Sequence, residues 1–142
     1  MGRVLRYLAI SIGVFLGIAI VAFLIVANFS AKDTAFRCEG KLTIASEEKP
    51  ATLFMTLSEY RWWVGLWSHS DGMVSIQAPQ FGVPYIPYLG LEDNGEFFHI
   101  FDYVGSTRFE GFRGQFYKLS RYLGLDTKSA GVFDGQCIPI ER

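Results

Sequence analysis

The chain is poor in the residues that do chemistry. Its 142 residues include two histidines and two cysteines. No CxxC pair and no set of three or four closely spaced ligands points to zinc. No Arg/Lys run or basic patch is present and the formal net charge is -1, so the electrostatic footprint of a nucleic-acid binder is missing. A polybasic cluster of the kind that gathers anionic lipid headgroups is missing too. Only 19% of residues are charged while 16% are aromatic, which excludes a disordered chain. There is one long uncharged run and no second, which excludes a multi-span membrane protein.

That single run, Leu8 to Ala27, holds 17 hydrophobic residues in 20, with Ser11 its only polar side chain. As a helix it would extend roughly 30 Å, the thickness of one bilayer core. Arg3 and Arg6 precede it, so the positive-inside bias expects residues 1–7 in the cytoplasm and the remainder outside. The run exceeds the apolar stretch of a secretory signal peptide. Cleavage after Ala27 or Ala31 would put Ile25 or Phe29 where a small residue is needed. An uncleaved signal-anchor over 8–29 in the inner (plasma) membrane is therefore expected, with a periplasmic or otherwise extracytoplasmic domain beyond it. Ala9, Gly13 and Gly17 recur every four residues along one face, where small side chains permit close helix packing.

Residues 30–37 read as a short linker and 38–142 as one domain, too short for two. Cys38 and Cys137 lie near its ends. Outside the cytoplasm such a pair is expected to be a disulfide. Their surroundings, Phe36-x-Cys38-x-Gly40 and Phe133-x-Gly135-x-Cys137, are alike in composition and read as first and last strands lying side by side. Between them, apolar residues alternate with period two, as in Leu53, Met55 and Leu57. Asp71-Gly72 and Asn94-Gly95 supply turn signals. Strands are expected at Trp62–Ser68, Met73–Ala78, Tyr88–Glu92, Glu96–Tyr103, Ser106–Phe112, Gln115–Ser120 and Val132–Ile140. Pro79–Pro87, with three prolines, reads as a loop or an edge, and Tyr117–Asp126 as either a short helix or a strand and turn. The whole describes an all-β antiparallel barrel or sandwich of about eight short strands after a single membrane helix.

Ser68-His69-Ser70-Asp71 contains the three residue types of a hydrolase triad, but neighbours in one turn cannot stack nucleophile on base on orienting carboxylate. His99 lies alone among Phe97, Phe98, Ile100 and Phe101. Glu92, Asp93 and Glu96 surround Asn94-Gly95 without the spacing of a calcium loop. No catalytic, cofactor or metal residue is assigned. The surplus is aromatic: 19 Phe, Tyr and Trp in the 113 residues after Phe29. Tyr60, Trp62, Tyr85 and Tyr88 form the candidate interaction surface, either as a belt at headgroup level or as protein-binding anchors.

The layout of membrane anchor, Phe-x-Cys-x-Gly opening, antiparallel strands and Phe-x-Gly-x-Cys ending is similar to small bacterial envelope proteins with a lipocalin-like or lysozyme-inhibitor-like barrel. The Ser-Gly-x-x-Tyr signature of the latter has no match. Nor does the early Gly-x-Trp of lipocalins, since Gly65-Leu66-Trp67 comes too late in the chain. The expected function is a non-catalytic, single-pass envelope protein, an accessory or interaction subunit whose partners are the membrane and other membrane proteins. The alternative is a lipocalin-like module for an apolar ligand.

Overall fold

The structure, a computed structural model, describes residues 2–28, 30–102, 112–127 and 130–141. It contains two compact units, residues 1–30 and 31–142. The first is helix α1 (Gly2–Asn28). Its segment Arg6–Val26 has a mean hydropathy of 2.9 over its most apolar window and no buried residue, and it is long and apolar enough to cross a membrane. Ala9, Gly13 and Gly17 share one face of it, and a methyl group added at either glycine would meet open space.

The second unit is a closed antiparallel barrel in which every strand pairs with its neighbours in sequence. Its strands are β1 (Ala31–Ile44), β2 (Glu47–Tyr60), β3 (Gly72–Ala78), β4 (Val83–Asp93), β5 (Phe97–Phe101), β6 (Arg113–Tyr117), β7 (Tyr122–Thr127) and β8 (Gly131–Ile140). Alternation decides which residues face inward: Cys38 and Leu42 on β1, Leu53, Met55 and Leu57 on β2 and Leu123 and Leu125 on β7 are buried, while their neighbours are not. Each buried leucine contributes about 1.5–3 kcal/mol. Phe36 and Phe116 meet across the interior with ring centroids 5.0 Å apart, tying β1 to β6, which are not paired strands.

The seam that closes the barrel is β1 against β8. In its register Cys38 stands opposite Cys137, Gly40 opposite Gly135 and Leu42 opposite Phe133, so the two look-alike ends are mirror halves of one antiparallel pair. Cys38 and Cys137 are joined as a disulfide. The glycine pair allows the backbones to close up: a Cβ on Gly40 would come within 2.1 Å of the Asp134 carbonyl oxygen and 2.4 Å of Gly135 Cα. The Phe133 ring covers Gly135 from the inside.

Several local expectations differ from the structure. Strand β1 starts at Ala31, inside the segment 30–37 expected as linker, because its pairing with β2 runs unbroken from Ala31↔Tyr60 to Ile44↔Glu47. The aromatic run Trp62–Ser68 is not a strand. Trp62–Gly65 forms the short helix α2, with the Val64 and Gly65 N–H groups donating to the Arg61 carbonyl oxygen. Gly72 opens β3 and is not half of a two-residue hairpin turn. The tight hairpin lies instead at Ala45-Ser46, with φ of 49° and 72°, the two positive values that a type I′ turn needs.

The proline-rich segment is a strand after a 3₁₀ turn at Pro79–Phe81. Two register shifts set Val74, Ile76 and Ala78 against Leu89, Ile86 and Val83. Each shift places three residues of β4 against two of β3, and the residues passed over are Pro84-Tyr85 and Pro87-Tyr88. Bulges are where a strand can hold a residue that lacks an N–H. Tyr117–Asp126 resolves into the end of β6, a turn and β7. The strand expected at Ser106–Phe112 falls, except for Phe112, outside the described residues.

Candidate functional site

The bulges of β4 turn Tyr85 out of the barrel, half exposed at 49%, while the next residue, Ile86, is buried. Tyr85 borders a recess of about 290 Å³ on the outer wall. Its floor is a row of small side chains, Ala35, Thr56 and Ser75, neighbours across β1, β2 and β3. Phe54, Gln77 and Ile140 make its walls together with Tyr85. Phe54, Ile138 and Ile140 are all exposed. Ile138 joins the same surface through Arg37, which stands opposite both it and Phe54.

Of the four aromatics expected to form an interaction surface, Tyr85 is the one in this recess. Tyr60 is half-buried at the end of β2. The side chains of Trp62 and Tyr88 lie outside the described residues.

A second recess, about 280 Å³, opens at the barrel mouth where β1 begins. Inward-facing Phe36, Leu57, Phe98 and Phe116 form its base, and Lys32, Glu59, Lys118 and Arg121 its rim. Lys118 bridges to Asp93 and sits 4.3 Å from the centre of the Phe98 ring. The ammonium of Lys118, hydrogen-bonded to Asp93, holds that carboxyl below the usual carboxylate range. Arg121 carries a positive φ of 54°, and its carbonyl accepts a hydrogen bond from the Cys137 N–H.

A third recess, about 290 Å³, lies on the outer wall over Gly124, between Tyr122, Asp134, His99 and Arg113. There the Tyr122 hydroxyl donates to Asp134 Oδ1 at 2.8 Å.

The polar clusters read from the sequence are held in structural bonds. The Ser70 hydroxyl donates to the Gly72 carbonyl oxygen at 2.8 Å. Asp71 accepts the Asp93 N–H, and His69 is exposed, so the segment does not form a triad. His99 Nδ1 lies 3.6 Å from Glu92 Oε2, its direct partner across β4 and β5, on the open wall. Asp93 is engaged by Lys118 and by the Gly95 N–H. Among the described residues no group of three or more His, Cys, Asp or Glu is placed to hold a metal ion.

No protein-family profile, characterised protein or solved structure matches the chain.

Proposed function

We propose that the chain is a single-pass, membrane-anchored accessory subunit of the cell envelope, with its barrel outside the cytoplasm, and that it works by docking on a membrane protein and not by catalysis. The observation that carries this reading is the outer-wall recess at Tyr85. A barrel has no folding reason to keep Phe54, Tyr85 and Ile140 exposed together around a floor of small residues, whereas a partner's apolar side chain would bury all three. The apolar helix α1 supports the membrane anchor, and its open glycine face would supply a second contact within the bilayer.

The test is purification from mild detergent of the intact chain beside Tyr85→Asp and Ile140→Asp. A stoichiometric partner retained by the wild type and reduced at least tenfold by either substitution is the expected result. A monomer free of partners, or a partner indifferent to both substitutions, refutes the docking surface. Gly13→Leu with Gly17→Leu separates any contribution of the helix.

The lipocalin-like alternative is favoured by one observation, the recess at the mouth above Phe36, Leu57, Phe98 and Phe116. Beneath it the described inward side chains are packed to near-zero exposure, so an apolar ligand would seat at the mouth and not within the barrel.

A further inference from the structure

The three most exposed large apolar side chains described in the barrel unit are Leu119 at 99%, Trp67 at 88% and Leu66 at 74%. Leu119 is far in sequence from the adjacent Leu66 and Trp67, yet strand direction collects them. Ala31, the first residue of β1, pairs with Tyr60, the last of β2. Glu59 pairs with Gly72, so the connection 61–71 that carries Leu66 and Trp67 lies at the end of the barrel where β1 begins. The turn 118–121 that carries Leu119 lies there too, since β6 ends at Tyr117 opposite Tyr122 and the Lys118 N–H donates to Glu96 in the β4–β5 turn. The chain enters the barrel at this same end, with residues 29 and 30 between the last residue of α1 and the first of β1.

We infer that this entry end is a lipid-facing surface: Leu66, Trp67 and Leu119 enter the boundary between headgroups and acyl chains, and the occupant is phospholipid. Tryptophan and leucine are the side chains that partition there, the indole keeping its N–H at headgroup level. Arg121, two residues after Leu119, and Lys32 on the same rim place cations where the phosphates would lie, while the Lys118 ammonium is held by Asp93. Lys32 and Arg121 make no ion pair with a described residue. Carboxylates Asp71, Asp93 and Glu96 stand at the same end, so the surface as a whole is not basic. Zwitterionic phospholipid therefore serves as well as anionic lipid. Arg121 holds a positive φ of 54°, a backbone conformation that favours glycine.

This inference rests on the membrane-anchor reading of α1, and the experiment separates the two. The intact chain is reconstituted into phosphatidylcholine vesicles with or without bromine atoms high on the acyl chains, beside Trp67→Phe. Helix α1 contains no tryptophan, so indole emission reports the barrel alone. Vesicle flotation after alkaline washing reports the anchor. The expected result is a floating chain whose Trp67 emission, taken as wild type minus Trp67→Phe, falls at least twofold on bromination. Replacing Leu66 and Leu119 by Ser, both at solvent-exposed sites that the fold does not need, should recover most of that emission. Adding phosphatidylglycerol should change the quenching little, and Arg121→Gly should reduce it without lowering the melting temperature. A chain that washes off the vesicles overturns the anchor reading and this one together. A chain that stays inserted with Trp67 unquenched, or quenched regardless of Leu66 and Leu119, overturns the lipid-facing surface alone.

Discussion

Replacing Cys38 and Cys137 together by alanine removes the covalent closure of the barrel and leaves its hydrogen-bonded seam in place. The two residues are 99 apart in sequence, and both side chains are buried. In the chain-entropy description, a loop of that length frees about 4.7 kcal/mol worth of unfolded-state entropy at 25 °C when it is opened. For a unit of roughly 110 residues, at about 2.1 cal/mol/K of unfolding entropy per residue, this lowers the melting temperature by about 20 °C. Alanine is preferred to serine, whose unbonded hydroxyls would add a separate penalty of about 1–3 kcal/mol each. Urea titration of the intact chain in detergent, followed by tryptophan emission, measures the loss. The slope of free energy against urea should also rise, because the unlinked chain expands further on unfolding. A loss under about 1 kcal/mol with an unchanged slope would refute the reasoning, since it would mean that the two ends stay together in the unfolded chain without the bond.

Two further outcomes follow from local geometry. Gly40→Ala drives a methyl group into the β8 backbone and should cost roughly 3 kcal/mol or more, whereas Gly124→Ala meets Asp134 Oδ1 at 3.4 Å and Tyr122 Cε1 at 4.0 Å, both ordinary contacts, and should fall within about 0.5 kcal/mol of the wild type; thermal melts of the pair give the contrast, and equal losses would contradict the close seam. The Tyr122 hydroxyl, donating to the Asp134 carboxylate, has its pKa pushed above the usual 10.0, so the folded state holds that proton more tightly than the unfolded chain. Its contribution is whole below pH 10 and is lost as pH rises through the folded value. A phenolate-absorbance titration should therefore show one late-ionising tyrosine that disappears in Tyr122→Phe, and an unchanged curve would count against the bond.

What the sequence discloses here depends on how local each signal is. The seam was legible because the surroundings of Cys38 and Cys137 are alike in composition, and Cys38-x-Gly40 and Gly135-x-Cys137 are mirror images, which an antiparallel pair sets cysteine against cysteine and glycine against glycine. The antiparallel fold class was legible from period-two alternation in strands such as β2. The β1–β2 turn was not, because Ala45 and Ser46 occupy left-handed positions normally held by Asn and Gly. The second half of β4 was legible as Tyr88–Glu92, but its first half was hidden by its own prolines; the repeat Pro84-Tyr85-Ile86-Pro87-Tyr88, one proline per bulge, is the signal that would have revealed it. Trp62–Ser68 misled because aromatic content is shared by strands and by short helical turns such as α2.

For the candidate sites, composition singles out Tyr85, but the small floor beneath it comes from three strands and has no sequence pattern. Leu66, Trp67 and Leu119 were missed as a group for a different reason. Their common feature is the direction of the strands they join, which becomes visible only after each strand has been placed.

The mirrored seam also sets an order of events. A ribosome delivers β1 first and β8 last, so β1 can find β2 within one hairpin but must wait for its other neighbour until almost the whole barrel has been made. At about 5–20 residues per second that interval lasts roughly 5–20 s. Throughout it one edge of β1 presents unpaired backbone and Cys38 a free thiol. Arg37, Glu39 and Lys41 point outward along that strand, and charged side chains on an open edge discourage pairing with other chains. The residues that close the molecule are thus also those that must keep it from closing on a stranger.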